Sequence, residues 1–245
     1  FEKLKKIVEN NKIGIIKMEV YRNIEPKNNF LNKVRNLATK NNIVLIFDEC
    51  TSGFRKTYGG LHKHYNVIPD IAMFGKALGN GYAITAVVGK REVMECAQNT
   101  FISSTFWTEK IGSAAAIATL DVMKDIKSWK LIDKTGQNIK KTWLEIAKLK
   151  NIPLEVFGLN ALAQFKIKLK NSNAYKTLIT QEMLKNNILA TDTFFVSTKH
   201  NKNVLEKYFE NLEKAFDLIQ KCENGKKLSS VLKTQESIMG LPRLN

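Results

Sequence analysis

The chain has 245 residues, 44% of them apolar and 25% charged, which is the composition of a globular protein with one large or two modest cores. Charged residues interrupt every apolar run before it reaches membrane-spanning length, which excludes a transmembrane helix. The net charge of +16 comes from lysines that are spread over the whole chain. Because they form no block and do not alternate with aromatic residues, they indicate a solvated surface rather than a nucleic-acid site.

The first half of the chain is predicted to alternate between helices and strands. Hydrophobic periodicity predicts helices at residues 1–11, 30–39 and 91–97, and apolar runs predict strands at residues 13–20, 43–47, 71–74 and 83–88. The five consecutive apolar residues 43–47 are typical of a parallel strand that is buried on both faces. This alternation predicts an α/β fold with a mainly parallel sheet.

From residue 109 the pattern changes to longer helices and shorter strands. Helices are predicted at residues 109–124, 129–148, 174–186 and 202–222, and strands at residues 154–157, 163–169 and 194–197. Two or three strands under two helices make a small α+β domain. We therefore predict two domains, residues 1–124 and residues 125–245.

The cysteine and histidine residues indicate neither disulfides nor a metal site. The three cysteines are Cys50, Cys96 and Cys222, an odd number without metal-ligand spacing, which favours a reducing compartment and a cytoplasmic protein. His62 and His64 would share one face of a strand, but no cysteine or third histidine lies nearby in the sequence. We interpret them as loop histidines.

Asp48 is a candidate binding residue because it directly follows the most apolar strand. Ligands of open α/β sheets gather at the carboxyl ends of the strands. A carboxylate beside the core is costly unless it meets a positive partner, such as the protonated ring nitrogen of a cofactor. Alternatively, Asp48 caps the following turn through Thr51 or Ser52. For Asp48 taken alone, both interpretations stay open.

Lys76 lies between two apolar strands in a segment with glycines on both sides. Most lysines lie on protein surfaces and have no chemical role. The flanking glycines permit tight turns and the close approach of a planar cofactor. We expect a partly buried lysine here, whose amine is nucleophilic near neutral pH and able to carry a proton.

The joint pattern is more specific than either residue. A strand ending in Asp48-Glu49 is followed by Gly53-Phe54-Arg55, Pro69-Asp70 and Gly75-Lys76-Ala77-Leu78-Gly79-Asn80-Gly81. This pattern resembles the class III aminotransferases, which depend on pyridoxal 5'-phosphate (PLP), and among them the glutamate-1-semialdehyde aminomutase-like branch. The resemblance implies fold type I, a Schiff base between PLP and Lys76, and Asp48 as the partner of the pyridine nitrogen.

The same resemblance implies two further cofactor contacts and an assembly. Cys50 stands where the family commonly has a valine packed on the pyridine ring. Ser104-Thr105-Phe106 resembles the segment whose threonine, here Thr105, binds the cofactor phosphate of the neighbouring subunit, and the alternative for it is a turn and cap. A homodimer is therefore expected, acting on a small amino donor and a carbonyl acceptor, without nucleic acid or membrane partners.

Two reactions and one non-catalytic role fit this resemblance. An aminotransferase passes an amino group from a donor to a ketone or aldehyde, whereas an aminomutase moves it within one molecule. A homologue without activity, serving as a binding subunit, is the third hypothesis. The resemblance implies further large-domain sequence upstream of Phe1, and the ending Gly240-Leu241-Pro242-Arg243-Leu244-Asn245 resembles the family's C-terminus.

Overall fold

The computed structural model describes residues 1–21, 23–106 and 108–238, which divide into two compact units. The first unit is Phe1–Leu131 and the second begins at Ile132. The division between residues 124 and 125 stays a prediction. Arg22 and residues 240–245, which entered the comparison with the family, lie outside the described residues.

The first unit has the predicted alternation of helices and strands. Its helices are α1 (Glu2–Asn10), α2 (Phe30–Lys40), α3 (Arg91–Met94) and α4 (Ile111–Ile126), and its strands are β1 (Ile15–Glu19), β2 (Val44–Asp48), β3 (Ile71–Phe74) and β4 (Ala86–Gly89). Short 3-10 helices span Leu61–Tyr65, Lys76–Leu78 and Glu95–Asn99. Because His62 and His64 lie in the first of these, the strand geometry considered for a metal site does not occur.

The four strands form one sheet in the order β1-β2-β3-β4. The first three strands are parallel, with Glu19 opposite Asp48 and Asp48 opposite Met73, and β4 runs antiparallel at the edge. This mainly parallel sheet confirms the predicted α/β class. Since β2 is flanked by parallel strands, Asp48 lies at the carboxyl edge of the sheet.

The two faces of this sheet differ in burial. Leu45 and Phe47 of β2 are completely buried, and α2 covers this face with Leu31, Val34 and Ala38. Val44 and Ile46, which point to the other face, are only partly buried. The prediction of a strand buried on both faces is therefore wrong for this structure, although its parallel pairing is confirmed.

The second unit is built around an antiparallel sheet. It contains β5 (Leu154–Phe157), β6 (Leu162–Ile167) and β7 (Thr193–Phe195) in that order, with helices α6 (Ser172–Lys185) and α7 (Lys202–Glu223). Helix α5 (Ser128–Leu149) begins in the first unit and continues into the second. The buried core of the second unit includes Trp143, Phe165 and Phe216. The Trp143 indole donates a hydrogen bond of 3.0 Å to the Tyr208 hydroxyl.

Candidate active site

The candidate site is centred on Asp48, the last residue of β2. A cluster of polar groups surrounds this carboxylate at the edge of the sheet. Its Oδ1 accepts a hydrogen bond of 3.2 Å from the backbone amide of Cys50. Its Oδ2 lies 3.2 Å from Nζ of Lys17, which extends from the neighbouring strand β1. One quarter of the Asp48 side chain remains accessible.

These contacts keep Asp48 ionised. Partial burial by itself raises the pKa of the Asp48 carboxyl, but the hydrogen bonds from Cys50 and Lys17 outweigh it. The pKa of Asp48 therefore lies below its ordinary value. A negative charge at this edge attracts a cationic or hydrogen-bond-donating group.

Lys76 follows directly after β3 and has an unusual backbone conformation. Its φ of 45° lies in the left-handed region, which costs a non-glycine residue about 1–2 kcal/mol. Such outliers persist where the surrounding structure imposes them, and they are concentrated at functional sites. The predicted partial burial of Lys76 is wrong, because the side chain is exposed in this structure. Its Nζ donates a hydrogen bond of 2.9 Å to Oγ1 of Thr51.

Cys50 connects the surroundings of Asp48 and Lys76. A Cβ atom placed on Gly75 would lie 3.6 Å from Sγ of Cys50, so the thiol packs beside the residue that precedes Lys76. Burial raises the pKa of the Cys50 thiol and Asp48 adds to this effect, while the ammonium groups of Lys76 and Lys17 act in the opposite direction. The carboxylate and both amines thus lie close enough to influence one thiol.

Glu49 holds the loop that follows β2. Its carboxylate is completely buried and accepts hydrogen bonds from the Ser52 hydroxyl at 2.5 Å, the Leu61 amide at 2.9 Å and the His62 amide at 2.8 Å. The His62 ring nitrogen Nδ1 lies 2.9 Å from Oε1 of Glu49. Burial raises the pKa of Glu49, but these hydrogen bonds outweigh it and leave the pKa below its ordinary value. The loop carrying Cys50 and Thr51 is thereby tied to the sheet.

The turn after Lys76 is closed by a tight backbone approach at Gly79. A Cβ atom on Gly79 would lie 2.2 Å from the carbonyl oxygen of Tyr82, which no side chain tolerates without a shift. The predicted role of glycine in tight turns is confirmed at this position. This close approach holds the segment that carries Lys76 against the loop that leads into β4.

Thr105 lies in an exposed turn before α4. The first amides of this helix are already bound, because the Glu109 carboxylate accepts hydrogen bonds from Ile111 at 2.6 Å and Gly112 at 3.1 Å. These two amides are therefore not free to bind a phosphate. Phe101 and Phe106, on either side of Thr105, are 96% and 77% exposed.

The structure brings Asp48, Cys50 and Lys76 together and adds three residues that the sequence analysis did not single out for this site. Lys17 contacts Asp48, and Thr51 contacts Lys76. Glu49 holds the loop that follows β2. The sequence does not distinguish Lys17 from the many other lysines of the chain. Its position beside Asp48 follows from the register in which β1 pairs with β2. Thr51 had been considered only as part of a turn.

The chain is similar in sequence to known proteins. The family model described as Aminotransferase class-III matches residues 23–215. The chain is 34% identical over 167 residues to the 3-aminobutyryl-CoA aminotransferase of Cloacimonas acidaminovorans, covering 66% of this chain and 40% of that protein. It is 31% identical over 243 residues to the glutamate-1-semialdehyde 2,1-aminomutase of Methanosphaera stadtmanae, covering 90% and 57%. The chain thus spans about half the length of the curated relatives it matches.

Solved structures share this fold. The FumI protein of Sphingopyxis sp. MTA144, solved in its PLP internal aldimine form, superposes with a TM-score of 0.82 at 19% identity, covering 94% of this chain and 57% of FumI. The ornithine δ-aminotransferase of Plasmodium falciparum gives a TM-score of 0.76 at 23% identity, covering 90% and 61%. These similarities confirm the predicted fold type I.

Proposed function

From the premise that the chain belongs to the class-III aminotransferase family, we propose that the protein transfers an amino group between an amino donor and a keto or aldehyde acceptor with PLP as its cofactor. The observation that carries this proposal is the cluster at the carboxyl edge of the sheet. An ionised carboxylate, Asp48, and an exposed amine, Lys76, lie there around the Cys50 thiol. This pair of groups is what a cofactor with a ring nitrogen and an aldehyde requires.

The residues at this edge fit PLP by their chemistry. The accessible Asp48 carboxylate is an acceptor for a pyridine N–H, and the exposed Lys76 side chain would supply the amine that attacks the aldehyde once its ammonium group has lost a proton. When bound, PLP supplies an aldehyde that takes up the amino group and a ring that withdraws electrons from the substrate. We assign Asp48, Cys50 and Lys76 to the binding of this cofactor.

In this mechanism the Asp48 carboxylate would stabilise a positive charge on the cofactor ring, and the Lys76 amine would carry a proton. The amide of Cys50 holds one oxygen of Asp48 in place, and the lowered pKa keeps the carboxylate negative, so that it would stabilise a protonated ring nitrogen of the bound cofactor. With PLP bound, Nζ of Lys76 would accept a proton from the α-carbon of the substrate and, as a general acid, would donate it to the aldehyde-derived carbon of the cofactor. The Thr51 hydroxyl accepts a hydrogen bond from this amine and so limits its orientations.

An intramolecular aminomutase is the second candidate function. It is favoured by the 31% identity to a glutamate-1-semialdehyde 2,1-aminomutase over 90% of this chain. Both reactions use Asp48 and Lys76 in the same way. They differ in whether turnover requires a second molecule as amino donor. Turnover measured without an added donor would therefore distinguish them, since only the aminomutase would continue to react.

We extend the proposal to domains and assembly. Residues 1–124 belong to the cofactor-binding large domain, residues 125–245 form a small C-terminal domain, and the active protein is a homodimer. In it, Thr105 contributes to the phosphate site of the partner subunit. The exposed apolar side chains around Thr105 support this, because patches of this kind mark interaction sites.

The remaining proposals concern location and partners. No described helix is long and apolar enough to cross a membrane. The three cysteines Cys50, Cys96 and Cys222 are free thiols, which supports a reducing compartment, and we place the protein in the cytoplasm. We propose small-molecule substrates and neither nucleic-acid nor membrane partners.

The proposed role of Lys76 is tested by borohydride reduction of the PLP-loaded protein and peptide mapping. We expect one phosphopyridoxyl group, attached to Lys76. Lys76→Ala removes this attachment and lowers turnover by at least about 10²–10⁴, the contribution of a positioned acid–base group. Lys40→Ala, at the exposed end of α2, is the matched control and should change neither the attachment of the phosphopyridoxyl group nor the turnover. A label on Lys17 or another lysine, or retained PLP without any label, contradicts the assignment.

A further inference from the structure

The Asp48 carboxylate already has a cation bound to it, supplied by the neighbouring strand. Nζ of Lys17 lies 3.2 Å from Oδ2, while Oδ1 accepts from the Cys50 amide. Strand register accounts for the contact: Lys17 is opposite Ile46, and Ile46 and Asp48 point to the same face of the sheet. Lys17 is therefore held near Asp48 by the backbone and not by a chance approach of loops.

This ion pair conflicts with the role proposed for Asp48. A ring N–H that binds Asp48 meets a carboxylate whose two oxygens both have partners. If the ring is protonated, the Lys17 ammonium also repels it, because like charges at short distance destabilise each other. The ring nitrogen must therefore displace Lys17 or share Oδ2 with it.

Lys17 is able to leave this position. Half of its side chain is exposed, and the four-carbon stem lets the ammonium move into water with little loss. Exposed ion pairs of this kind contribute little to stability, so their loss is compatible with an intact fold. Asp48 itself remains in place, because the Cys50 amide holds its other oxygen.

We propose that Lys17 is a displaceable counter-ion of Asp48, which occupies the carboxylate in the free protein and weakens the binding of the cofactor's ring nitrogen. This inference rests on the proposed function. It adds a determinant of cofactor affinity outside the groups assigned to PLP. The same charge keeps Asp48 ionised while the site is free.

The test compares PLP binding by the wild-type protein, Lys17→Met and Lys17→Arg, measured by absorbance titration. Lys17→Met removes the competing charge, so the dissociation constant for PLP should fall about two- to fivefold, the range expected for an exposed ion pair. Lys17→Arg keeps the competitor and should bind no more tightly than wild type. Lys12→Met, which removes an exposed charge before β1, controls for general attraction of the anionic cofactor.

A second ligand isolates the ring nitrogen. With the PLP analogue in which carbon replaces the pyridine nitrogen, Lys17 has no competitor, so Lys17→Met should not bind the analogue more tightly than wild type does. In the free protein, a carbon-13 NMR titration of the Asp48 carboxyl should show its pKa rising in Lys17→Met. An unchanged or larger PLP dissociation constant in Lys17→Met, or equal tightening with the analogue, overturns the inference. If no variant binds PLP, the proposed function fails and the inference fails with it.

Discussion

Asp48 and Glu49 are adjacent acidic residues in very different surroundings. Asp48 is the last residue of the strand and stays partly accessible, whereas Glu49 is completely buried and surrounded by donors from Ser52, Leu61 and His62. Their side chains leave the chain on opposite sides, as expected for neighbouring residues at a strand end. One carboxylate is thus available to a ligand, while the other holds the loop that positions it.

Asp70 is the residue whose ionisation should matter most for acid stability. It is buried directly before β3 and accepts hydrogen bonds from the Leu45 amide, Arg35 and Lys90 at 2.7–2.8 Å. Burial raises the pKa of Asp70, but these contacts outweigh it and lower the pKa to about 2. The contribution of Asp70 is present above the unfolded-state pKa near 3.9 and is lost as the pH falls towards about 2.

We therefore predict that Asp70→Asn lowers the free energy of unfolding by about 2 kcal/mol at pH 7 and flattens its pH dependence between about pH 4 and pH 2. Urea unfolding of both proteins across this range is the measurement. Asp121→Asn, at an exposed position of helix α4, is the control for the loss of one carboxylate and should change the free energy of unfolding at pH 7 by less than about 0.5 kcal/mol. Equal slopes for Asp70→Asn and wild type below pH 4 would contradict the prediction.

For the individual residues of the candidate site, the sequence predicted the chemical groups better than their contacts. Asp48 and Lys76 were found from a strand end and a glycine-rich segment, which are local patterns. The contacts of Lys17 and Thr51 depend on strand register and on the path of a loop, and neither leaves a periodic pattern in the sequence. The exposure of Lys76 could not be predicted either, because it depends on which residues cover the sheet edge.

The elements of secondary structure were largely predictable from the sequence. Every helix and strand of the prediction overlaps an observed one, with ends shifted by a few residues. The 3-10 helix Leu61–Tyr65 was missed, because it is held by the buried Glu49 carboxylate rather than by its own apolar pattern. Burial of β2 on both faces was wrong, since Val44, Ile46 and Asp48 on the face away from α2 stay partly accessible.

Helix α7 begins with a side-chain cap that should contribute measurably to its stability. Oδ1 of Asn201 accepts a hydrogen bond of 3.1 Å from the amide of Val204, which otherwise has no partner within the helix. We predict that Asn201→Ala lowers the free energy of unfolding by about 1 kcal/mol. Asn203→Ala, in the exposed first turn, is the matched control and should change it by less than about 0.5 kcal/mol. Equal effects of both substitutions in urea unfolding would show that the cap contributes nothing.

The positive charge belongs to the whole molecule rather than to one region. Residues 1–131 have 20 Lys and Arg against 12 Asp and Glu, and residues 132–245 have 19 against 11, so each part carries a net charge of +8. Many lysines make local ion pairs, such as Lys150 of the second unit with Glu213 and Asp217. An even distribution of this kind favours solubility over a nucleic-acid interface.

The segment of residues 101–117 is the feature from which we predict assembly. Among the described residues of this segment, five large apolar side chains are 57–96% exposed, namely Phe101, Ile102, Phe106, Ile111 and Ile117. Exposed apolar residues concentrated in one segment are unfavourable in a monomer and indicate a surface that a partner covers. Thr105 lies within this segment. Its proposed contact with the cofactor phosphate of the partner subunit would therefore be part of the dimer interface.

We predict that the PLP-loaded protein sediments as a dimer and that Phe101→Asp shifts it to the monomer with a loss of bound PLP. A buried aspartate without a partner at an apolar interface opposes association, and a monomer lacks the phosphate contact of Thr105. Leu189→Asp introduces the same charge at an 89% exposed site of the second unit and should leave the dimer intact. Thr105→Val should weaken PLP binding without dissociating the dimer, which separates the phosphate contact from assembly. A wild-type monomer that retains PLP fully would contradict both the dimer and the role of Thr105.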